Sequence, residues 1–167
     1  QVADSIGSGL ARAVVVARID GNLTDLNSPL EQDCSLELFT GDTPEGHDTL
    51  LHSTAHLMAQ AVKELFPETK VTIGPTIENG FFYDFDVDVP FSDEVLARIE
   101  QKMKELAKSA QDIVRTEMSA GDAVKMFDKM GEPYKVEIIG ELNPEEVISA
   151  YTQSDFTDLC RGPHVSN

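Results

Sequence analysis

Asp48-Thr49-Leu50-Leu51-His52-Ser53-Thr54-Ala55-His56-Leu57-Met58-Ala59-Gln60-Ala61-Val62-Lys63-Glu64-Leu65-Phe66-Pro67 is the strongest helical pattern in the chain. Leu51, Ala55, Met58, Val62 and Leu65 recur at helical spacing, Asp48 can cap the start and Pro67 stops it. The pattern predicts a helix over 48–66. His52 and His56 lie four apart in its middle, so both imidazoles leave one face about a turn apart.

On the carboxyl side the pattern changes period. Lys70-Val71-Thr72-Ile73 and the run Gly80-Phe81-Phe82-Tyr83-Asp84-Phe85-Asp86 read as strands, with turns at Gly74-Pro75 and Glu78-Asn79-Gly80. A second helix is expected from Ser92 through Val95, Ile99, Met103 and Leu106, with Asp93 and Glu94 at the positive end of its dipole. Ile113 to Met118 is expected as a strand. Ser119 and Asp122 fit a capping box for a third helix ending near Met130-Gly131. Tyr134 to Ile139 reads as a strand, and Pro144 to Ala150 as a short helical stretch. On the amino side, Thr40-Gly41-Asp42-Thr43-Pro44-Glu45-Gly46 is polar and turn-rich and reads as a linker. Before it come a short helical piece (Ser5 to Ala11) and a β-rich run, Ala13 to Ile19. A hairpin signal at Asp20-Gly21-Asn22, a returning segment from Leu23 to Leu26, and an alternating strand, Ser35 to Phe39, complete this part. Strands and helices mix without βαβ regularity or repeats, which predicts an α+β protein: a two-layer domain with helices on a largely antiparallel sheet. The expected division is 1–41, a linker at 42–47, and a main domain at 48–167. Some 40 residues seldom build a core unaided, so the leading piece is read as part of a larger domain.

Composition narrows the classes. Of the 167 residues, 41% are hydrophobic and 26% charged, as in globular domains. No apolar run approaches the ~20 residues of a membrane span, and the start lacks the basic and apolar regions of a signal peptide, so a cytoplasmic protein away from membranes is expected. Two cysteines, Cys34 and Cys160, do not make a disulfide framework. Thirty acidic against thirteen basic side chains give a formal net charge of −17, which by itself repels a polyanion.

Cys160 and His164 repeat the four-residue spacing of His52 and His56, but Gly162 and Pro163 between them make a loop, so this pair comes from another element. Three of the four histidines and one of the two cysteines therefore fall in two equally spaced pairs. His, His, Cys and His form a donor set that tetrahedral zinc accepts. The same groups can form a metal-free hydrolytic pocket in which imidazoles orient a water or take its proton near neutral pH. Spacing does not choose between the two. Zinc-protease chemistry is disfavoured, because Ser53 follows His52 and no glutamate lies between the histidines. His47 falls in the linker and reads as solvated, and Cys34 as structural.

His52-Ser53-Thr54-Ala55-His56-Leu57-Met58, Ile73-Gly74-Pro75, Asn79-Gly80-Phe81-Phe82-Tyr83-Asp84, Tyr134-Lys135-Val136 and Asp158-Leu159-Cys160-Arg161-Gly162-Pro163-His164 occur in this order. Together they resemble the editing domain of bacterial-type threonyl-tRNA synthetases. The resemblance covers Asp48 to Asn167, and the leading piece resembles the carboxyl part of the ubiquitin-like (β-grasp) TGS domain that precedes editing in that family. A related signature in alanyl-tRNA synthetases binds zinc; Tyr134-Lys135-Val136 and the TGS-like start favour the threonyl family. The resemblance implies hydrolysis of serine wrongly esterified to the acceptor end of threonine tRNA. A missing methyl is worth only ~1–3 kcal/mol in a synthetic pocket, so a second site is needed. It further implies His52 beside the ribose and the water, His56 as its neighbour, and Lys135 in water activation or charge stabilisation. Tyr83 and Asp158 would position the substrate, Cys160 and His164 would complete the wall, and Arg161 would contact a phosphate or neutralise Asp158. No cofactor is expected to be required; zinc, if bound, would use His52, His56, Cys160 and His164. Nothing resembles an ATP-binding class II core or an anticodon-binding domain, so the remaining synthetase domains are the expected partners, and the chain is not expected to charge tRNA.

Overall fold

The computed structural model describes every residue except 79 and 89. Two short helices, α1 (Val2–Ile6) and α2 (Ser8–Ala13), lead into a three-stranded antiparallel sheet. Its central strand is β1 (Val14–Ile19), flanked by β2 (Asn22–Thr24) and β3 (Leu36–Thr40). Asp20 and Gly21 both take positive φ, 47° and 89°, the backbone that a tight hairpin between β1 and β2 requires.

Helix α3 runs from Pro44 to Leu65 and starts a turn earlier than expected. Thr43 is the cap, its Oγ1 accepting the Gly46 N–H at 3.1 Å, and Pro44 takes the first helical position, where its lost N–H costs nothing. Residues 44–47, expected as linker, are thus the first turn of the helix, and Asp48 lies inside it. This turn is pressed on the first sheet. A Cβ at Gly46 would stand 2.0 Å from the Thr40 carbonyl oxygen, and the Arg18 guanidinium of β1 meets Glu45 at 2.8 Å.

The chain then forms an irregular antiparallel hairpin. Strand β4 (Lys70–Val71) pairs with β7 (Phe85–Asp86), and β5 (Thr76–Ile77) pairs with β6 (Gly80–Phe81). Between the two ladders Thr72 N–H donates to the Asp84 carbonyl at 3.1 Å, and Asp84 N–H to that of Ile73 at 2.9 Å. The strands expected over 70–73 and 80–86 are therefore present but broken near Gly74-Pro75. Asn79, part of the expected turn at 78–80, lies outside the described residues.

Helix α4 (Asp93–Ser109) is capped by Ser92, and α5 (Ala120–Met130) by Ser119, whose Oγ accepts the Asp122 N–H and donates to the Asp122 carboxylate. Gly131 ends α5 with φ 73°. Two expectations fail here. Residues 134–139 form helix α6 (Pro133–Glu141), not a strand. Pro133 presets its first position, and Lys135 and Ile139, four apart, both turn inward, so burial on a helical period overrides the β-preference of Val136, Ile138 and Ile139. Pro144 to Ala150 is not helical; Ile148–Ala150 open strand β9 (Ile148–Gln153). It is the centre of the second three-stranded antiparallel sheet, between β8 (Ile113–Met118) and β10 (Phe156–Leu159). Helices against antiparallel sheets make the chain α+β, as its patterning predicts. Ala123, Phe127, Ile139, Ile148 and Ala150 fill the core between α5, α6 and this sheet, while Ala55, Ala59, Val71, Tyr83 and Phe156 pack α3 on the hairpin and β10.

Candidate functional site

The face of α3 that carries His52 and His56 looks onto the end of β10 and the segment beyond it. Cys160 and His164 come from that segment, and the ligating atoms of all four side chains lie within 4.8 Å of one another. Cys160 Sγ is 3.2 Å from His52 Nε2 and 3.3 Å from His164 Nε2, and it accepts the Gly162 N–H at 3.2 Å. The rings of His52 and His56 stand edge to face at 5.1 Å, and that of His164 lies tilted against both, at 4.3 and 4.2 Å. His164 is 1% exposed and His56 4% exposed; His52 and Cys160 are half-buried and form the outer edge of the cluster.

Burial fixes the charge state. It depresses the pKa of His52, drives that of His56 well below the ordinary histidine value with the help of His52 and Lys135, and brings that of His164 down to about 2. It pushes the Cys160 thiol up to about 12. Near neutral pH the cluster is three neutral imidazoles and a thiol. A consistent hydrogen pattern follows. Ser53 Oγ accepts the Val165 N–H at 3.1 Å, so its own proton is free for His164 Nδ1 at 3.0 Å. His164 then carries its proton on Nε2, facing Cys160 Sγ, and the S–H is left for His52 Nε2.

Beside the imidazoles lies a buried ion pair. Lys135 Nζ, on the first turn of α6, is 2.6 Å from Asp158 Oδ1, and both side chains are almost wholly buried. The ammonium also donates to the Thr72 carbonyl at 2.5 Å and to Tyr83 Oη at 3.3 Å, so its three N–H groups are committed. Tyr83 O–H donates to Asp158 Oδ2 at 2.5 Å, and burial together with that carboxylate raises the phenol pKa. His56 Nε2 stands 3.6 Å from the same Oδ2, longer than a hydrogen bond, consistent with a neutral ring.

Seven of the eight residues singled out from sequence thus converge: His52, His56, Tyr83, Lys135, Asp158, Cys160 and His164. Arg161 does not join them. It is exposed and pairs with Glu146 at 2.7 Å, while Asp158 is neutralised by Lys135. His47 is exposed, as expected, and Cys34 is half-buried and free. Sequence reading missed Ser53, Tyr151 and Asp25. Ser53 lies on the same quoted helix as the histidines, but its partner is 111 positions away, and no spacing announces such a contact. A cavity of about 290 Å³ touches Cys160 from the side of Leu159 and Arg161.

The donor set fits a tetrahedral metal. Zinc would hold its nitrogen and sulfur ligands ~3.3–3.8 Å apart, close to the two Cys160–imidazole distances of 3.2 and 3.3 Å; the four donor atoms as a set lie within 4.8 Å of one another, and the Cys160 thiol would have to give up its proton. For His164 to ligate through Nε2, its proton would have to sit on Nδ1 and be donated to Ser53 Oγ, the reverse of the hydrogen pattern above.

Comparison with known proteins places the chain. Residues 1–40 match the TGS domain family. Over 164 residues, 98% of its length, the chain is 56% identical to threonine–tRNA ligase of Citrifermentans bemidjiense. It is 54% identical over 99% of its length to the same enzyme of Alkalilimnicola ehrlichii, and 48% identical over all 167 residues to that of Acetivibrio thermocellus. In each case it spans 26% of the relative. By sequence, the chain is similar along nearly its whole length to the amino-terminal quarter of threonine–tRNA ligases, and its first forty residues match the TGS domain family.

Proposed function

We propose that this chain is the proofreading part of a threonyl-tRNA synthetase, hydrolysing the ester that links serine to the acceptor end of threonine tRNA. One observation carries the reading: three neutral imidazoles and a thiol pack against a buried Lys135–Asp158–Tyr83 network. The accompanying homology is to an enzyme whose substrate differs from serine by one methyl group. A neutral imidazole is the base that ester hydrolysis requires near pH 7.

In this mechanism a water takes the place of the Cys160 S–H at His52 Nε2 and attacks the seryl carbonyl carbon while its proton passes to that nitrogen; His52 is the most accessible of the three rings. The buried Lys135 ammonium, paired with Asp158, acts on the negative oxygen that develops on the tetrahedral intermediate through its field and not through a direct hydrogen bond. Its donors are already saturated by Asp158, Thr72 and Tyr83, which suits a fixed positive charge better than a base. The ester C–O bond then breaks, the imidazolium returns the proton to the ribose oxygen, and serine and uncharged tRNA leave. Tyr83 and Asp158 hold Lys135 and the wall of the pocket, and His56, His164 and Cys160 close it on the far side. Arg161 would have to leave Glu146 to reach a phosphate.

A second reading rests on the tetrahedral donor set. His52, His56, Cys160 and His164 would hold a zinc ion, which when bound would supply a structural clamp or a Lewis acid. Deacylation of seryl- and threonyl-tRNA by the chain, with and without a chelator, separates the two. Preferential loss of serine, indifferent to the chelator and lowered at least 100-fold in His52→Ala and Lys135→Ala, is expected. Stoichiometric zinc after purification, with unfolding on chelation, would favour the metal module instead. Intact folding with no hydrolysis would leave an interaction domain.

A further inference from the structure

Asp25 lies outside the main domain, just after β2, yet both of its carboxylate oxygens reach the candidate site. Oδ1 accepts the backbone N–H of His164 at 2.8 Å, and Oδ2 accepts the O–H of Tyr151 at 2.8 Å. An aspartate opening a turn ordinarily bonds the N–H groups of that turn. Here the turn closes without it, through the Ser28 N–H on the Asp25 carbonyl at 3.1 Å and a Thr24–Ser28 hydroxyl pair at 2.8 Å. The side chain is thereby released to grip residues 126 and 139 positions further along the chain.

What it grips is the support of His164. The Tyr151 ring packs on the His164 ring at 4.5 Å, and its hydroxyl lies beneath the loop: a Cβ at Gly162 would come within 1.9 Å of it. The loop from Cys160 to His164 therefore rests on Tyr151, whose hydroxyl is fixed by Asp25, and the backbone of His164 is fixed by the same carboxylate. At the other wall, Arg18 of the same small sheet pins Glu45 at the start of α3, two turns before His52. The leading sheet thus braces both elements that carry the cluster.

We infer that Asp25 is a positioning residue of the editing site, so that the TGS-type sheet is a working component of the pocket rather than a neighbouring module. The inference rests on the hydrolytic reading above. Losing the carboxylate frees the loop and lets the His164 ring and Cys160 leave the geometry in which they face His52.

The test compares Asp25→Ala, Asp25→Asn and Tyr151→Phe in the complete chain. Asp25→Ala is expected to lower kcat for seryl-tRNA hydrolysis about tenfold with KM within twofold, after correction for the folded fraction. Asn keeps an acceptor for His164 N–H and can still bond the tyrosine hydroxyl, so it should restore the rate to within about threefold of wild type. Asp25→Ala combined with Tyr151→Phe should be little slower than Asp25→Ala alone, since both remove one support. Long-range proton–nitrogen NMR of the His164 ring provides a readout independent of turnover. An inactive wild type would overturn the hydrolytic reading, and the clamp would then be judged by whether Asp25→Ala shifts the His164 ring signals. An active wild type matched by Asp25→Ala, or His164 signals unchanged in that variant, would overturn the clamp.

Discussion

At the scale of single residues, the cluster is set by desolvation. Histidines held neutral by burial bind fewer protons in the folded chain than in the unfolded one, where they titrate near 6.5. Their contribution to stability is present above pH 6.5 and is lost as pH falls below it. With His164 brought down to about 2, the loss continues through the acid range, at up to ~1.4 kcal/mol per pH unit for each neutral ring. Urea unfolding at pH 7.5, 6 and 5 should show this decline, and His164→Gln should flatten it. A stability that does not change between pH 7.5 and 5 would contradict the buried neutral cluster. The Lys135–Asp158 pair makes a second residue-scale prediction. Lys135→Met leaves a buried carboxylate without its counter-charge and should cost about 3–5 kcal/mol, read as a lower urea midpoint; Lys135→Met with Asp158→Leu should recover much of it.

At the scale of elements, α3 was legible because its signals agree: periodic apolar residues, a cap and a terminal proline. It starts one turn before Asp48, because Asp48 and Thr43 are both good caps and only Thr43 is followed by a proline at the first helical position. Thr43→Ala should therefore cost about 1 kcal/mol in urea unfolding, whereas Asp48→Ala, inside the helix and exposed, should be nearly neutral. Helix α6 and strand β9 were unreadable for a shared reason. Short segments rich in Val and Ile satisfy either period, and their outcome is decided by which neighbours they bury against, information that sits on other elements. The candidate site divides in the same way. His52, His56, Cys160 and His164 announce themselves by equal spacing, and Lys135, Tyr83 and Asp158 by a motif. Ser53, Tyr151 and Asp25 act through contacts across more than 100 positions and leave no local trace.

At the scale of the whole molecule, the formal charge of −17 and the proposed polyanionic substrate pull in opposite directions. On the proposed reading the chain supplies the reactive pocket and little of the grip on the body of the tRNA. Fluorescence anisotropy with uncharged threonine tRNA should give a Kd no tighter than about 10⁻⁴ M at physiological salt, the weak end of non-specific binding. Submicromolar binding with a steep salt dependence would contradict this division of labour. The small leading sheet is part of the same arrangement, since it touches both α3 and the His164 loop.

The most direct test of the account is the ratio of hydrolysis rates for seryl- and threonyl-tRNA at saturating chain and single turnover, where weak tRNA binding no longer limits the comparison. Serine is expected to be removed at least tenfold faster than threonine, and His52→Ala to abolish the difference. Equal rates for the two esters, or a wild-type rate no faster than His52→Ala, would contradict it.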